Sequence, residues 1–259
     1  MENRYKKLVS QMVDDGQLPE YIYRMMKINQ YLFDTLNNNE IWFSAPKDFN
    51  DPFDCDININ IEGTKQEEIQ EYFQKYLLNT IPYDKRLTLE NKKITIPVFE
   101  RLINDAAKRI INRKGIACFL SNKDNILMWS HYADSHKGVC LTYSIKDDLD
   151  FFSPMKSVKY AKDYPQYNYL KQQNDFVEYM FFTKSKDWEY EGEVRVLKSK
   201  SGNYKFKKTA LKELIFGCRT SKKDINKIAK IIEKIYPETK IKIAKKKKSS
   251  FGLDFEDFN

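Results

Sequence analysis

Apolar residues recur at the spacing of an amphipathic helix in several separate parts of this chain. In residues 1–14 the apolar positions lie three and four residues apart, and Asp15-Gly16 follows as a stop signal. The same periodicity predicts further helices along the chain. The predicted helices span residues 1–14, 29–37, 67–78, 98–112, 125–133, 175–184 and 222–235.

Shorter apolar runs, rich in β-branched and aromatic residues, predict strands between the helices. Residues 191–197 and 204–207 flank Ser201-Gly202-Asn203, which predicts a hairpin. Because there is no regular βαβ period and no internal repeat, the pattern favours an α+β fold, with a mixed or antiparallel sheet and helices packed around it. The predicted strands span residues 21–26, 40–44, 115–120, 138–143, 158–160, 191–197, 204–207, 211–216 and 240–243.

No shift in composition marks a domain boundary, so residues 1–259 are expected to form one domain. Within it, residues 1–19 would form an N-terminal helix and residues 60–113 a helical insertion. Residues 240–259 would form a final strand and a charged tail. Residues 79–96 have the weakest pattern of the whole chain.

The composition, with 41% hydrophobic and 32% charged residues, is that of a globular protein. The net charge of +8 either keeps the protein in solution or attracts an anionic partner such as a nucleotide or nucleic acid. No run approaches the roughly 18 apolar residues of a membrane span, and no secretory signal is present, so a cytoplasmic protein without a membrane partner is expected. Four widely spaced cysteines and the lack of zinc-binding motifs predict no metal cofactor.

The rarest residue types concentrate in three segments, residues 42–54, 128–138 and 188–196. The three tryptophans, Trp42, Trp129 and Trp188, fall one in each segment. Both histidines, His131 and His136, fall in the second. A single tryptophan is most often a core anchor. The joint pattern also suits a ligand site assembled from three separate parts of the chain.

The first two segments contain residue types that suit either a ligand or the structure. Ser44, at the end of a predicted strand, suits contact with a ribose or a phosphate. Asn50 and Asp51 precede a proline, so they suit a helix cap as well as a ligand. In the second segment, His131 lies between two large aromatic residues, which suits either a pocket wall or a structural hydrogen bond.

The third segment alternates charged and apolar residues. If a strand begins at Glu191, then Glu191, Glu193 and Arg195 share one face, within roughly 7 Å of each other. This pattern is typical of a solvated face whose ion pair contributes at most about 1 kcal/mol. It also suits a carboxylate that an arginine holds beside a ligand, where it stabilises positive charge or acts as a general base.

The three segments in combination resemble a bacterial family known as domain of unknown function 2971. The resemblance lies in WFSAPKDFNDPFD, CFLSNKDNILMWSHYADSHKGVCLTY and KDWEYEGEVRV, closed by LIFG. It runs from about residue 21 to about residue 217. The family has no established activity. The resemblance therefore indicates which family the chain belongs to but does not indicate a reaction.

A second resemblance, to the ADP-ribosyltransferase fold, lies in the order of strand 21–26, helix 29–37, an aromatic strand ending in Ser44, and a late carboxylate strand. It implies NAD as co-substrate. When the nicotinamide bond breaks, positive charge develops on the ribose, and a nearby carboxylate stabilises it. The implied catalytic residues are Glu191 and Glu193, and the residues expected around NAD are Tyr23, Arg24, Trp42, Ser44, Phe49, Asn50, Trp129, His131, Tyr132 and Arg195.

The same resemblance implies transfer of ADP-ribose to a nucleic acid or a protein, or hydrolysis of NAD. Such an enzyme would act as a toxin or an antiviral, phage-defence effector, with a defence-system or antitoxin partner. One alternative is a non-catalytic nucleotide- or nucleic-acid-binding sensor module of a defence system. Another is a metal-dependent hydrolase or nuclease, which would require acids such as Asp51, Asp54 and Glu193 to converge on a metal.

Overall fold

A computed structural model of the chain describes residues 2–56, 59–78, 83, 86, 93–164, 167–172 and 176–258. Short strands alternate with helices of varied length along the described chain. The strands are β1 Tyr21–Met26, β2 Glu40–Phe43, β3 Ile59–Asn60, β4 Gly115–Leu120, β5 Val139–Ser144, β6 Met155–Ser157, β7 Lys159–Ala161, β8 Tyr167–Asn168, β9 Thr183–Ser185, β10 Glu193–Lys198, β11 Gly202–Lys205, β12 Leu211–Phe216, β13 Lys240–Lys246 and β14 Leu253–Asp257.

The helices lie close to the segments that the apolar periodicity predicts. Asn29 caps the second helix through its side chain, which accepts from the backbone of Leu32. The π-helical turn Phe73–Leu77 continues the third helix. The α-helices are α1 Glu2–Asp14, α2 Gln30–Asn38, α3 Gln66–Tyr72, α4 Ile96–Arg113, α5 Ile126–Tyr132, α6 Phe176–Phe181 and α7 Lys222–Ile235.

An eight-stranded sheet forms the centre of the fold, in the order β14-β13-β12-β5-β1-β4-β10-β6. Neighbouring strands in this sheet are antiparallel, except for the parallel pair β12 and β13. Helix α7 connects these two strands, as a parallel crossover requires. The mixed, mostly antiparallel sheet with helices packed around it confirms the predicted α+β fold.

The sheet has two differently covered faces, which we name after successive residues of β1. The Tyr23 face is covered by α5, which contributes the buried Met128 and Trp129, and by α4 farther along. The Arg24 face is covered by α1, α2 and α7. Because successive side chains of a strand point to opposite faces, neighbouring residues of β1 belong to different environments.

The predicted hairpin between residues 191–197 and 204–207 is wrong. Strand β11 instead pairs antiparallel with β2, where Asn203 lies opposite Trp42 and Gly202 opposite Phe43. The rings of Phe43 and Tyr204 meet edge to face at 5.0 Å. Contacts between residues far apart in the sequence thus decide this pairing, and the turn residues alone do not reveal them.

Two predicted element boundaries are also wrong. The helix expected over residues 175–184 ends at Phe181, and β9 then runs parallel to β7. The charged tail expected after residue 243 folds back as β14, which pairs with β13. Lys245 forms an ion pair with Glu256, and Lys247 forms one with Asp254. The charged residues of the tail therefore connect two paired strands.

Part of the expected helical insertion lies outside the described residues, including most of residues 79–92. Within residues 60–113 the described part contains α3, the π-helical turn and α4. The division into one domain with an insertion stays a prediction. Among the described helices, none combines the length and the apolar character that crossing a membrane requires.

Candidate functional site

The register of the central sheet separates the predicted site residues into two groups. Tyr23, Leu120 and Glu193 lie side by side in one row across β1, β4 and β10, so their side chains point to the same face. Arg24 points to the opposite face, where its guanidinium carbon lies 5.7 Å from the ring centroid of Phe119. The single NAD site expected from the sequence is therefore divided between two places in the structure.

On the Tyr23 face, buried charged side chains surround Arg195. We call Asp54, Lys184, Glu191, Glu193 and Arg195 the charge cluster. Nη1 and Nη2 of Arg195 donate to Oδ1 and Oδ2 of Asp54 at 2.9 and 2.5 Å. Nε and Nη2 donate to Oε1 and Oε2 of Glu193 at 2.7 and 3.0 Å. Two bidentate carboxylates thus hold one guanidinium, an arrangement in which charge-assisted hydrogen bonds are strong.

Lys184 joins the two glutamates of the charge cluster. Its Nζ lies 2.5 Å from Oε2 of Glu191 and 2.9 Å from Oε2 of Glu193. Tyr132 donates to the remaining oxygen of Glu191, Oε1, at 2.7 Å. Burial lowers the pKa of Lys184, but the carboxylates of Glu193 and Glu191 outweigh burial and raise the pKa above its ordinary value. Lys184 is therefore a cation at neutral pH and does not serve as a base.

In the charge cluster, two cations face three carboxylates, and these cations hold Glu193 in its ionised form. Burial alone would raise the pKa of Glu193, but Arg195, followed by Lys184, lowers it to about 2. A carboxylate with so low a pKa, hydrogen-bonded at both oxygens, is a weak base. Each oxygen of Glu191 also has a donor. The geometry fits an ion network that ties the loop containing Asp54 to β9 and β10, and removal of one partner would leave a buried charge unpaired.

Glu191 and Glu193 reach the charge cluster from different elements, which corrects the prediction of a single strand face. Glu191 ends the 3₁₀ helix Lys186–Glu191, and Gly192 follows in the left-handed conformation with φ +54°. The strand begins only at Glu193. Glycine adopts positive φ without the steric cost that a Cβ atom brings. Glu193 and Arg195 share a face as predicted, and Glu191 approaches from the side.

On the opposite face, Arg24 contributes to a cavity of about 690 Å³, which we call the Arg24 cavity. Nη1 of Arg24 is out of contact with solvent, and no described residue accepts a hydrogen bond from it. The guanidinium rests on Phe119, and no carboxylate of the described residues forms an ion pair with it. Burial lowers the pKa of Arg24. An unsatisfied, half-buried cation of this kind is rare and suits an anionic ligand.

Two of the residues predicted beside Arg24 do line this cavity, namely Trp42 and Ser44. Trp42 lies on β2 and is 48% exposed, and Tyr31, at the start of α2, is 72% exposed. Ser44 is held next to β4 by two backbone hydrogen bonds with Ile116, each 2.9 Å long. The cavity thus joins an unsatisfied guanidinium to accessible aromatic rings, and its volume lies in the ordinary range for small-molecule sites.

The Arg24 cavity also contains acids and amides that the sequence did not indicate. Asp34, Glu40 and Asp48 line it, and Lys27 is its second cation. The ion pair between Glu40 and Lys205 is long, at 4.0 Å. Carboxylates at a nucleotide site commonly accept hydrogen bonds from ribose hydroxyls. The remaining polar lining residues are Asn29, Thr35 and Asn203.

The other predicted site residues lie elsewhere. Trp129 is a core residue with 0% exposure, and its Nε1 donates to the backbone oxygen of Lys123 at 2.7 Å. His131 is exposed on α5. The ring centroid of Phe49 lies 5.6 Å from the guanidinium carbon of Arg195. Asn50 lines a different cavity, of about 470 Å³, between residues 46–56 and α4. Tyr23 packs against the buried cluster that contains Met128 and Trp129.

A further cavity of about 590 Å³ opens beside Lys184. Trp188, from the third tryptophan segment, lines it, and Nζ of Lys184 lies 5.0 Å from the Trp188 ring centroid. The aromatic residues of its lining are Phe53, Tyr164, Tyr179, Trp188 and Tyr190. The three tryptophans thus belong to three separate environments: the Arg24 cavity, the core, and the cavity beside Lys184.

The acids named for a metal site do not converge as that alternative requires. Asp54 and Glu193 meet at the guanidinium of Arg195. Asp51 accepts a hydrogen bond from the backbone of Phe53. In the part of the chain that the structure describes, no group of three or more His, Cys, Asp or Glu side chains has the arrangement of metal ligands.

Residues 128–196 match the model of a family described as a protein of unknown function, DUF2971. This segment contains Tyr132, Lys184, Glu191, Glu193 and Arg195, so it supplies most of the charge cluster. The residues around Arg24 lie outside the match. No curated protein and no solved structure matches the chain.

Proposed function

We propose that the protein binds a nucleotide in the Arg24 cavity. The observation that carries this proposal is the unsatisfied Nη1 of Arg24 at a cavity that Trp42 and Tyr31 also line. A phosphate would accept the missing hydrogen bonds, and an aromatic base would stack on an exposed ring. This function corresponds to the nucleotide-binding alternative raised by the sequence, and it needs no catalytic carboxylate.

The charges around the cavity limit the class of nucleotide. Arg24 and Lys27 are its two cations, whereas Asp34, Glu40 and Asp48 contribute three carboxylates. This balance disfavours a triphosphate, because its charge would be repelled by the acids. It favours a nucleoside monophosphate or a dinucleotide, whose ribose hydroxyls donate to carboxylates. NAD, which the fold resemblance implies, is the first dinucleotide to test.

The experiment is a calorimetric titration of the purified protein with AMP, NAD and ATP. We expect AMP or NAD to bind, and Arg24→Met to weaken binding by about 10- to 150-fold, the equivalent of a charged hydrogen bond of about 1.5–3 kcal/mol. Arg219→Met is the matched control, because Arg219 is an exposed arginine that donates to Ser135 away from the cavity. Equal affinities in wild type and Arg24→Met would rule out this role for Arg24.

A second candidate function is cleavage of NAD with transfer of ADP-ribose to a nucleic acid, a protein or water. The observation that favours it is Glu40, a carboxylate that lines the same cavity as Arg24, Trp42 and Ser44. The bond between nicotinamide and ribose would break with its electron pair leaving on nicotinamide. Glu40 would stabilise the positive ribose until the acceptor attacks.

Nicotinamide release tests the second candidate and the original prediction of Glu191 and Glu193 together. The assay compares wild type with Glu40→Gln, Glu191→Gln and Glu193→Gln, with and without RNA, DNA and bacterial lysate. Loss of release in Glu40→Gln alone supports cleavage in the Arg24 cavity. Loss in Glu191→Gln or Glu193→Gln, in a variant that thermal unfolding shows to be folded, supports the sequence-based assignment instead. Binding of NAD without release under any condition leaves the binding function. A role as a toxin or phage-defence effector stays a prediction from the fold resemblance.

A further inference from the structure

Four lysines form a straight stripe along the exposed side of α7. Lys223, Lys227, Lys230 and Lys234 are separated by four, three and four residues, so they lie on one side of the helix within an arc of about 60°. All four are exposed. We call them the lysine stripe. With a rise of 1.5 Å per residue, the stripe is roughly 16 Å long.

The lysine stripe lacks the acidic partners that many other lysines have. Elsewhere, Lys123 and Lys242 pair with Glu213, and Lys212 pairs with Asp147. Among the described residues, no ion pair or hydrogen bond involves the side chain of any lysine in the stripe. Lys227 does contact the ring of Phe33, with Nζ 4.0 Å from its centroid. Helix α7 has five lysines against Asp224 and Glu233, a net charge of +3, and the stripe presents four of these cations together on one side of the helix.

Helix stability explains the last lysine of the stripe but not the first, because Lys234 lies in the last turn of α7, where the helix dipole favours a cation. Lys222 and Lys223 are the first two residues of α7, where the positive end of the helix dipole disfavours cations. This end of α7 is stabilised by Ser221, whose Oγ accepts a hydrogen bond from the backbone N–H of Asp224. The lysines take no part in this cap. The unfavourable position of Lys223 and the lack of acidic partners along the stripe favour a role of these charges toward an external anion.

We propose that the lysine stripe binds the phosphate backbone of a nucleic acid. Its length exceeds the roughly 12 Å width of the major groove of B-DNA, so the stripe reaches phosphates on both sides of a groove. A membrane surface fits the helix less well, because an interfacial helix inserts its apolar face into lipid. In α7 that face is already used: Ile225, Ile228 and Ile232 are buried in the core on the Arg24 face.

Salt dependence of binding is the measurement that tests this inference. Fluorescence anisotropy would follow a labelled duplex of about 20 base pairs, and a single strand, between about 50 and 200 mM salt. The test variant replaces all four stripe lysines by glutamine. Because each neutralised phosphate contributes about −0.9 to the slope of log K against log salt, we expect the slope to become shallower by about 3 to 4.

The matched control changes the same number of charges at another place. Lys245, Lys246, Lys247 and Lys248 are exposed near the chain end, and their replacement by glutamine should leave the slope close to that of wild type. An unchanged slope in the stripe variant, equal losses in both variants, or no binding by wild type at low salt would each overturn the proposal. Binding to phosphatidylserine vesicles in place of nucleic acid would also overturn it. The proposal stands apart from the Arg24 cavity, since AMP or NAD binding by the stripe variant should equal that of wild type.

Discussion

Replacing Arg24 by methionine should stabilise the ligand-free protein, which is unusual for a polar residue at the centre of a sheet. An unsatisfied buried donor costs about 1–3 kcal/mol, and Nη1 of Arg24 is such a donor. The contact between Arg24 and Phe119 contributes about 0.5–1 kcal/mol in return, and methionine keeps favourable contact with an aromatic ring. The net gain is about 1 kcal/mol, or a rise in Tm of about 2–4 °C for a chain of this size.

Arg195→Met is the matched comparison, because it removes the same group from the other face of the sheet. Arg195 has four hydrogen bonds to Asp54 and Glu193, and its loss leaves two buried carboxylates with only Lys184 nearby. Breaking a buried pair in this way costs about 3–5 kcal/mol. The two substitutions should therefore change the free energy of unfolding in opposite directions.

Urea unfolding of nucleotide-free wild type and both variants measures this difference. A loss of more than about 1 kcal/mol in Arg24→Met would mean that Arg24 is satisfied in the folded protein, by water or by a group the structure does not describe. The reasoning that makes Arg24 a ligand residue would then be refuted. A small effect of Arg195→Met would likewise contradict the assignment of the charge cluster as a structural network.

Three further predictions test the two faces of the sheet. Glu193 has a pKa of about 2 against an ordinary 4.5, so its stabilisation of about 3 kcal/mol is present above about pH 4.5 and is lost as pH falls towards 2. In this pH range, the free energy of unfolding of Glu193→Gln should therefore change less with pH than that of wild type. Gly192→Ala should lower the free energy of unfolding by more than about 1–2 kcal/mol, because φ is +54° and the new Cβ would lie 2.5 Å from a serine oxygen. Gly16→Ala, at φ +71° with free space around it, should lose only the roughly 1–2 kcal/mol that the left-handed conformation costs. Thermal unfolding measures both. Trp129→Ala should cost about 3–5 kcal/mol in chemical unfolding, whereas the exposed Trp42→Ala should change stability by at most about 0.5 kcal/mol and instead weaken nucleotide binding.

The element types were predictable because long apolar patterns determine them. Helix α7 was predicted over the residues where the structure has it, since its apolar positions recur at 3.6 residues and Ser221 caps it. The strand pairs were harder to predict. The pairing of β11 with β2 depends on contacts between residues about 160 positions apart. Turn residues, in contrast, indicate only the pairing of strands that follow each other directly in the sequence.

Only a few residues of the candidate site followed from the sequence, and their arrangement did not. Arg24, Trp42 and Ser44 do meet at one cavity, and Glu193 and Arg195 do share a strand face. Their grouping into one site failed because it depends on which face of β1 and β10 each side chain occupies. That choice is set by the register across β4, where a shift of one residue would exchange the faces. The sequence did not indicate Lys184 as a site residue, because its place in the charge cluster depends on where α6 ends and β9 begins.

The two arginines of the central sheet lie on opposite faces, in different electrostatic environments. On the Tyr23 face, the carboxylates of Asp54 and Glu193 occupy the guanidinium of Arg195, so this arginine is not available to an anionic ligand. On the Arg24 face, no acid among the described residues forms an ion pair with Arg24, and α2 lies between the Arg24 cavity and α7, contributing Tyr31 to the cavity lining and Phe33 to the contact with Lys227. Of these two arginines, Arg24 is therefore the one available to an anionic ligand. This difference makes the Arg24 face the first place to search for a bound nucleotide.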